Sequence, residues 1–174
     1  MLAVAAGAGD QVAVTAFVRR TQPEVWRLCS QLGDRDAADD LTQEVYLRAL
    51  PALSSFRGDA SARTWLLQIA RFTCADHVRR RTRARSLLER LRRYEPPEAE
   101  AASGGLVEID DAIAGLERDR REAFVLTQVT GLAYAEAAVV CDVPIGTIRS
   151  RVARARADLL FALTDDLDAE SGAS

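Results

Sequence analysis

The sequence predicts an all-α protein built as two small helical domains joined by a flexible linker. Three observations carry that expectation. Apolar residues recur at i, i+3 and i+4 along both halves with polar residues opposite, the period of a helix that buries one face. The alternating runs of Val, Ile, Thr and aromatics that strands require are absent. Residues 94–105 hold two prolines and two glycines and almost nothing that could fill a core, so they stop one helical body before the next begins. With 174 residues and 48% apolar side chains, the chain can bury a core, which excludes wholesale disorder.

The elements follow in order. Residues 1–9 lack a basic leader and a full apolar stretch, so they read as a loose, disordered tail and not a signal peptide. Helices are expected over 10–31, 36–52 and 61–93, making a first domain of 10–93. Asp39 and Asp40 suit the positive end of the second of these helices. After a linker at 94–106, helices are expected over 108–115, 118–130, 134–141 and 144–163, making a second domain of 107–165. Gly131 suits a left-handed cap and Pro144 a first helical turn. An acidic tail closes the chain at 166–174.

Charge is polarised along the chain. The total is 23 basic against 26 acidic residues, for a net of −3, and every basic residue is Arg. Nine Arg fall between Arg71 and Arg93, and nine acids between Glu95 and Glu122. A second basic block follows at Arg149, Arg151, Arg154 and Arg156. Local charge sets the field near a surface, so the weakly acidic total is compatible with binding a polyanion. Cys29, Cys74 and Cys141 are far apart and odd in number, which argues against a disulfide framework. One histidine, His77, and no CxxC leave too few ligands for a zinc site, and no cofactor is expected. No apolar run approaches the ~18 residues of a membrane span.

The second domain ends in the most informative segment. Ile148, Val152, Ala155 and Leu159 form one apolar stripe, while Thr147, Ser150, Arg151 and Arg154 share another face. Such a helix packs by one side and offers guanidinium and hydroxyl groups from the other, the groups that pair with phosphates and base edges. A short Ala-rich helix and a tight turn at Asp142-Val143 precede it. The plan is that of a helix-turn-helix, whose second helix enters a major groove.

In the first domain, Asp40, Gln43 and Glu44 make a compact polar face, which reads either as a solvated surface or, more sharply, as a face that docks a partner protein. A metal-dependent enzyme using the carboxylates of Asp34 to Asp40 has no evident base or ligand partner, so no catalytic residue is assigned. Further on, Phe56, Arg57, Trp65 and Phe72 interleave aromatics with arginines, as single-stranded bases require for stacking and charge. Trp65 and Ile69 fit a core role better; Phe56 and Phe72 are balanced between core and binding.

Three stretches together resemble bacterial sigma factors of the extracytoplasmic-function group, the small two-domain initiation subunits of RNA polymerase. They are DDLTQEVYLRAL, FRGDASARTWLLQIARFTCADHVRRR and GLAYAEAAVVCDVPIGTIRSRVARARADLL, and the likeness covers residues 10–163. It implies that Asp40, Gln43 and Glu44 grip the clamp helices of the polymerase largest subunit. It places Phe56 and Arg57 in the loop that captures a flipped base of the −10 element. Trp65, Arg71, Asp76, Arg79 and Arg80 fall on or near the helix that meets the melted strand, where Phe72 stands in place of a frequent Asn. Arg149, Ser150, Arg151 and Arg154 match the part that reads the −35 element. The implied partners are core RNA polymerase, including the flap of its second-largest subunit, promoter DNA and, in many relatives, an anti-sigma factor. The location is cytoplasmic. The alternative is a helix-turn-helix repressor or activator that acts without joining polymerase.

Overall fold

The computed structural model describes residues 2–56, 58, 61–91 and 106–171, and every regular element among them is helical. The first unit comprises α1 (Leu2–Gly7), α2 (Gln11–Leu32), α3 (Ala38–Ala52) with a 3-10 turn at Leu53–Ser55, and the long α4 (Ala62–Leu91). The second comprises α5 (Leu106–Gly115), α6 (Arg118–Phe124) running into a π-helical turn at Val125–Val129, α7 (Tyr134–Cys141) and α8 (Ile145–Ser171). The linker expected at 94–106 lies outside the described residues except for Leu106, which opens α5.

Local chemistry explains most boundaries. Asp10 caps α2, its carboxylate accepting the Val12 and Ala13 N–H groups at 2.9 and 3.1 Å, which satisfies donors the helix cannot pair itself. Glu117 caps α6 through the Arg120 N–H, and Glu136 reaches back to the Ala133 N–H at 3.0 Å at the start of α7. Gly131 takes the left-handed conformation expected of it, at φ 69°. Asp142 does the same at φ 55°, a conformation that Asp tolerates better than most side chains, and so turns α7 into α8.

Two expectations about the ends need correction. Residues 2–7 are not a loose tail but a helix, with Ala3 and Ala6 buried and Gly7 so close to the Leu53 carbonyl that a Cβ has no room. Alanine combines the highest helix propensity with the smallest side chain that still buries apolar area, so a short Ala-rich segment can lie flat on a neighbour. At the other end α8 continues past 163 to Ser171, because neither Gly nor Pro interrupts it before Gly172.

The first unit buries Val25, Leu28 and Cys29 of α2 against Leu41, Val45 and Ala49 of α3 and Leu66, Leu67, Ala70 and Cys74 of α4. Each fully buried Leu contributes roughly 1.5–3 kcal/mol. The Cys29 and Cys74 thiols, remote in sequence, are buried close enough there for each to shift the other's titration, and both stay free. The second unit buries Val125, Leu126, Ala137, Val140, Ile148, Val152 and Ala155. Three of the four residues of the expected apolar stripe are among them, and the fourth, Leu159, is partly buried.

The two units are packed together, and their buried apolar residues form one continuous cluster. Polar ties cross the seam. Arg63 of α4, held within the first unit by Glu24 of α2 at 2.9 Å, donates across it to the carbonyl of Thr130, just beyond the π turn. Thr64 donates to Glu136 at 3.3 Å. Gln31 and Arg35 both reach Asp110, each at 2.7 Å. Arg71 donates to Glu122 at 2.8 Å.

Candidate nucleic-acid interface

Three patches carry the residues singled out from the sequence. The first is on α3. Asp40 and Gln43 are exposed, Glu44 is half-buried, and Leu47 adds an apolar side chain that is 69% exposed. Residues 40, 43 and 47 stand at i, i+3 and i+7, one helix face. An exposed Leu bordered by a carboxylate and an amide suits a protein surface better than a nucleic acid.

The second patch is the middle of α4, where an ion-pair chain joins it to α3. Glu44 accepts from Arg48 at 2.5 Å and from Arg80 at 3.2 Å. Asp76 accepts from Arg48 at 3.1 Å and from Arg79. The Arg79 and Arg48 guanidinium groups hold the Asp76 carboxyl below the ordinary carboxylate value. Glu44 of α3 and Asp76, Arg79 and Arg80 of α4 are thus one electrostatic unit, with Arg48 joining Glu44 to Asp76. Arg48 was not singled out from the sequence, although its place four residues after Glu44 is a readable i, i+4 pair.

Phe72 is 50% exposed and the Arg71 guanidinium lies 5.4 Å from its ring centre, an aromatic face and a cation side by side. Arg71 itself is held by Glu122 of the second unit and is mostly covered. Phe56 is half-buried, with its ring 5.3 Å from that of Trp65 and tilted by 52°. Trp65 therefore supports Phe56 from the core side, a geometry that favours aromatic pairs. Arg57 lies outside the described residues.

The third patch is the start of α8. Arg149, Ser150 and Arg154 are exposed, and Thr147 is half-buried, its carbonyl accepting the Ser150 hydroxyl at 3.0 Å. Arg151 departs from the common face expected for it. It pairs with Asp119 of α6 and its side chain is only 20% exposed. The physical reason is its register: position 151 follows the fully buried Ile148 by three, so it borders the packed stripe. Arg120 with Asp158 and Arg156 with Gln128 similarly tie α6 and the π turn to α8, at 2.7 and 2.8 Å.

Among the described residues no three His, Cys, Asp or Glu side chains converge in a way that could hold a metal, and no helix is long and apolar enough to cross a membrane. An exposed polar face and an arginine-rich helix with an exposed aromatic in one unit, with a helix-turn-helix in the other, are features that suit a DNA-directed protein. The comparisons agree. The Sigma-70 region 2 model matches residues 17–84, and the Sigma-70, region 4 model matches residues 106–159. The chain belongs to the extracytoplasmic-function sigma factors, the subunits that bind core RNA polymerase and direct it to promoters.

Among relatives, a probable RNA polymerase sigma-C factor of Mycobacterium bovis is 49% identical over 95% of this chain and 92% of its own length. An ECF RNA polymerase sigma-E factor of Escherichia coli K12 is 34% identical over 85% of each chain. Two solved structures share the fold at 28% identity. CnrH, solved with the cytosolic domain of CnrY, superposes with a TM-score of 0.74 over 95% of this chain and 96% of its own. The sigma factor RpoE of Bartonella quintana, solved with the anti-sigma factor NepR, superposes at 0.70 over 87% and 96%. Both halves are matched, which sets aside a regulator that works without polymerase.

Proposed function

We propose that this sigma factor docks through Asp40, Gln43 and Glu44 of α3 on the clamp helices of the polymerase largest subunit, with Leu47 completing the contact. In the same reading the second unit meets the flap of the second-largest subunit. Phe56 and Arg57 receive an unpaired base of the −10 element, supported by Trp65, while Phe72, Arg79 and Arg80 hold the separated strand. Unstacking a base costs a few kcal/mol, which a pocket, a stacking ring and adjacent cations can offset. Arg149, Ser150 and Arg154, with Thr147 and Arg151 at the edge, read the −35 element. The protein carries out no chemistry of its own and works in the cytoplasm, where polymerase and promoter are.

The observation that supports this reading best is the ion-pair chain that runs from Glu44 through Arg48 to Asp76 and Arg79, with Arg80 also on Glu44. It joins the α3 surface proposed for polymerase to the α4 surface proposed for the −10 strand. Two modules held on one enzyme bind far more tightly together than apart. The closed packing of the two units is read as a resting state, because it covers Arg71 with Glu122. Docking on polymerase separates them. Self-covering of this kind serves the purpose that a bound anti-sigma factor serves elsewhere, and such a factor remains compatible with the α3 and α8 surfaces.

The test is run-off transcription with purified core polymerase on promoter fragments of the parent genome. The expected result is start-site-directed RNA only when the chain is present, and undetectable promoter binding by the chain alone. Tight, sequence-specific binding without polymerase, or no directed transcript from any template, overturns the reading.

A further inference from the structure

The seam between the two units holds a small, partly open cavity of about 20 Å³, room for one or two water-sized groups. One wall is apolar, from Leu32, Ala75 and Val78, with the Cys74 thiol beside them. The other is charged, from Arg71 of the first unit and Arg118, Arg121 and Glu122 of the second. Three guanidinium groups and one carboxylate thus line the same cavity. Glu122 already accepts from Arg71 at 2.8 Å and more loosely from Arg118 at 3.4 Å.

Arg121 is left over. One of its terminal nitrogens donates to the Ala114 carbonyl at 3.0 Å, but its Nε is shut off from solvent with no hydrogen-bond partner among the described residues. Among the described residues Arg121 is in no ion pair, while Asp119, Asp158 and Asp34 are paired with Arg151, Arg120 and Arg81. Burial pulls the Arg121 guanidinium below its ordinary value, and the Cys74 thiol, pushed up by the nearby Cys29 thiol and by burial, contributes no charge. A covered donor in a pocket lined by three guanidinium groups and one carboxylate is costly unless an anion or water meets it.

We propose that this cavity is a binding site for a small monatomic anion of the chloride type, held by Arg121, Arg118 and Arg71, and that its occupancy favours the closed arrangement of the two units. A water molecule satisfies the Nε–H but adds no negative charge, whereas a halide does both. Larger carboxylates such as free glutamate do not fit within 20 Å³. Because the walls come from both units, the anion binds the closed chain and not the separated one, and mass action then shifts the equilibrium toward closure. The proposal rests on the closed state being populated in solution.

Two measurements on the full chain test it. The first is ³⁵Cl NMR, with chloride exchanged for glutamate at constant ionic strength to hold screening fixed. Excess line broadening that bromide competes away is expected, falling at least fivefold in Arg121→Met, with Arg118→Gln, a more exposed position, giving a smaller loss in a chain of unchanged helicity. The second is an inter-unit distance by fluorescence transfer in the same salt series. The closed-to-open ratio is expected to fall at least threefold when chloride is replaced, and this dependence to vanish in Arg121→Met. A chain that stays closed with no competable broadening overturns the anion site alone, leaving water as the occupant. A chain that is open in every salt overturns both the site and the resting-state reading.

Discussion

Glu122 of α6, 5% exposed, accepts a hydrogen bond at 2.8 Å from Arg71 of α4, so the helix carrying the −10 candidates is tied to the second helix of the other unit. A buried charge left without its partner is strongly unfavourable, by roughly 3–5 kcal/mol. Glu122→Gln is therefore expected to lower stability by about 3 kcal/mol and to increase the radius of gyration measured by small-angle scattering. Unchanged dimensions and unchanged stability together contradict the closed resting state.

On α3, Gln43→Ala and Asp40→Ala remove exposed side chains that make no intramolecular side-chain bond among the described residues. Each is expected to weaken association with core polymerase several-fold while helicity and melting temperature stay within error. Equal affinity of variant and parent in a core-binding titration removes the docking face from this surface.

Phe72 is half exposed and already shares its face with Arg71. Phe72→Ala is expected to cost about 1–3 kcal/mol in binding of a forked −10 template by the holoenzyme, the worth of one stacked base. Binding of fully paired upstream DNA is expected to be unaffected. A uniform loss across both templates points to a structural role.

The arginines of α8 divide into two kinds. Arg149→Ala and Arg154→Ala are expected to reduce −35 discrimination by about 1–3 kcal/mol where they meet a base, or to flatten the salt dependence where they meet phosphate. Arg151→Ala is expected to show first as a stability loss of up to about 1 kcal/mol, since it breaks a half-screened pair with Asp119. Urea titrations beside holoenzyme footprinting separate the two.

Burial raises the Cys141 thiol from 9.0 to about 11. A raised thiol pKa means the folded state disfavours the thiolate, so the stability tied to it is intact below pH 9 and declines as pH rises above that value. At pH 8 the thiolate fraction of Cys141 is about 100-fold lower than in the unfolded chain. Alkylation is expected to be slow natively and to accelerate on adding denaturant, followed by mass spectrometry at residue 141.

The helices were legible because burial imposes a period. Ile148, Val152 and Ala155 announce their shared face by spacing alone, and Gly131 and Pro144 mark turns through backbone restrictions that hold in any context. The same logic missed α1, because a run of Ala and Gly has no amphipathic contrast; only the surface offered by α2 and the 3-10 turn makes it a helix. It also grouped Arg151 with the free face of α8. A helical wheel places position 151 at the edge of two faces, and Asp119, far away in sequence, decides which one it joins.

By itself, the sequence settled the all-α class, the division into two units, the helix-turn-helix and the family likeness. Each of these depends on local periodicity, backbone-restricted residues or ordered motifs along the chain. The tertiary structure alone decided that Glu122 covers Arg71, that Arg48 joins Glu44 to Asp76, that Trp65 backs Phe56, and that Cys29 lies near Cys74. Those are pairings between helices remote in sequence. A long, charged side chain is equally at home in water or beside an opposite charge, so only the packing of the helices determines which partner comes within reach.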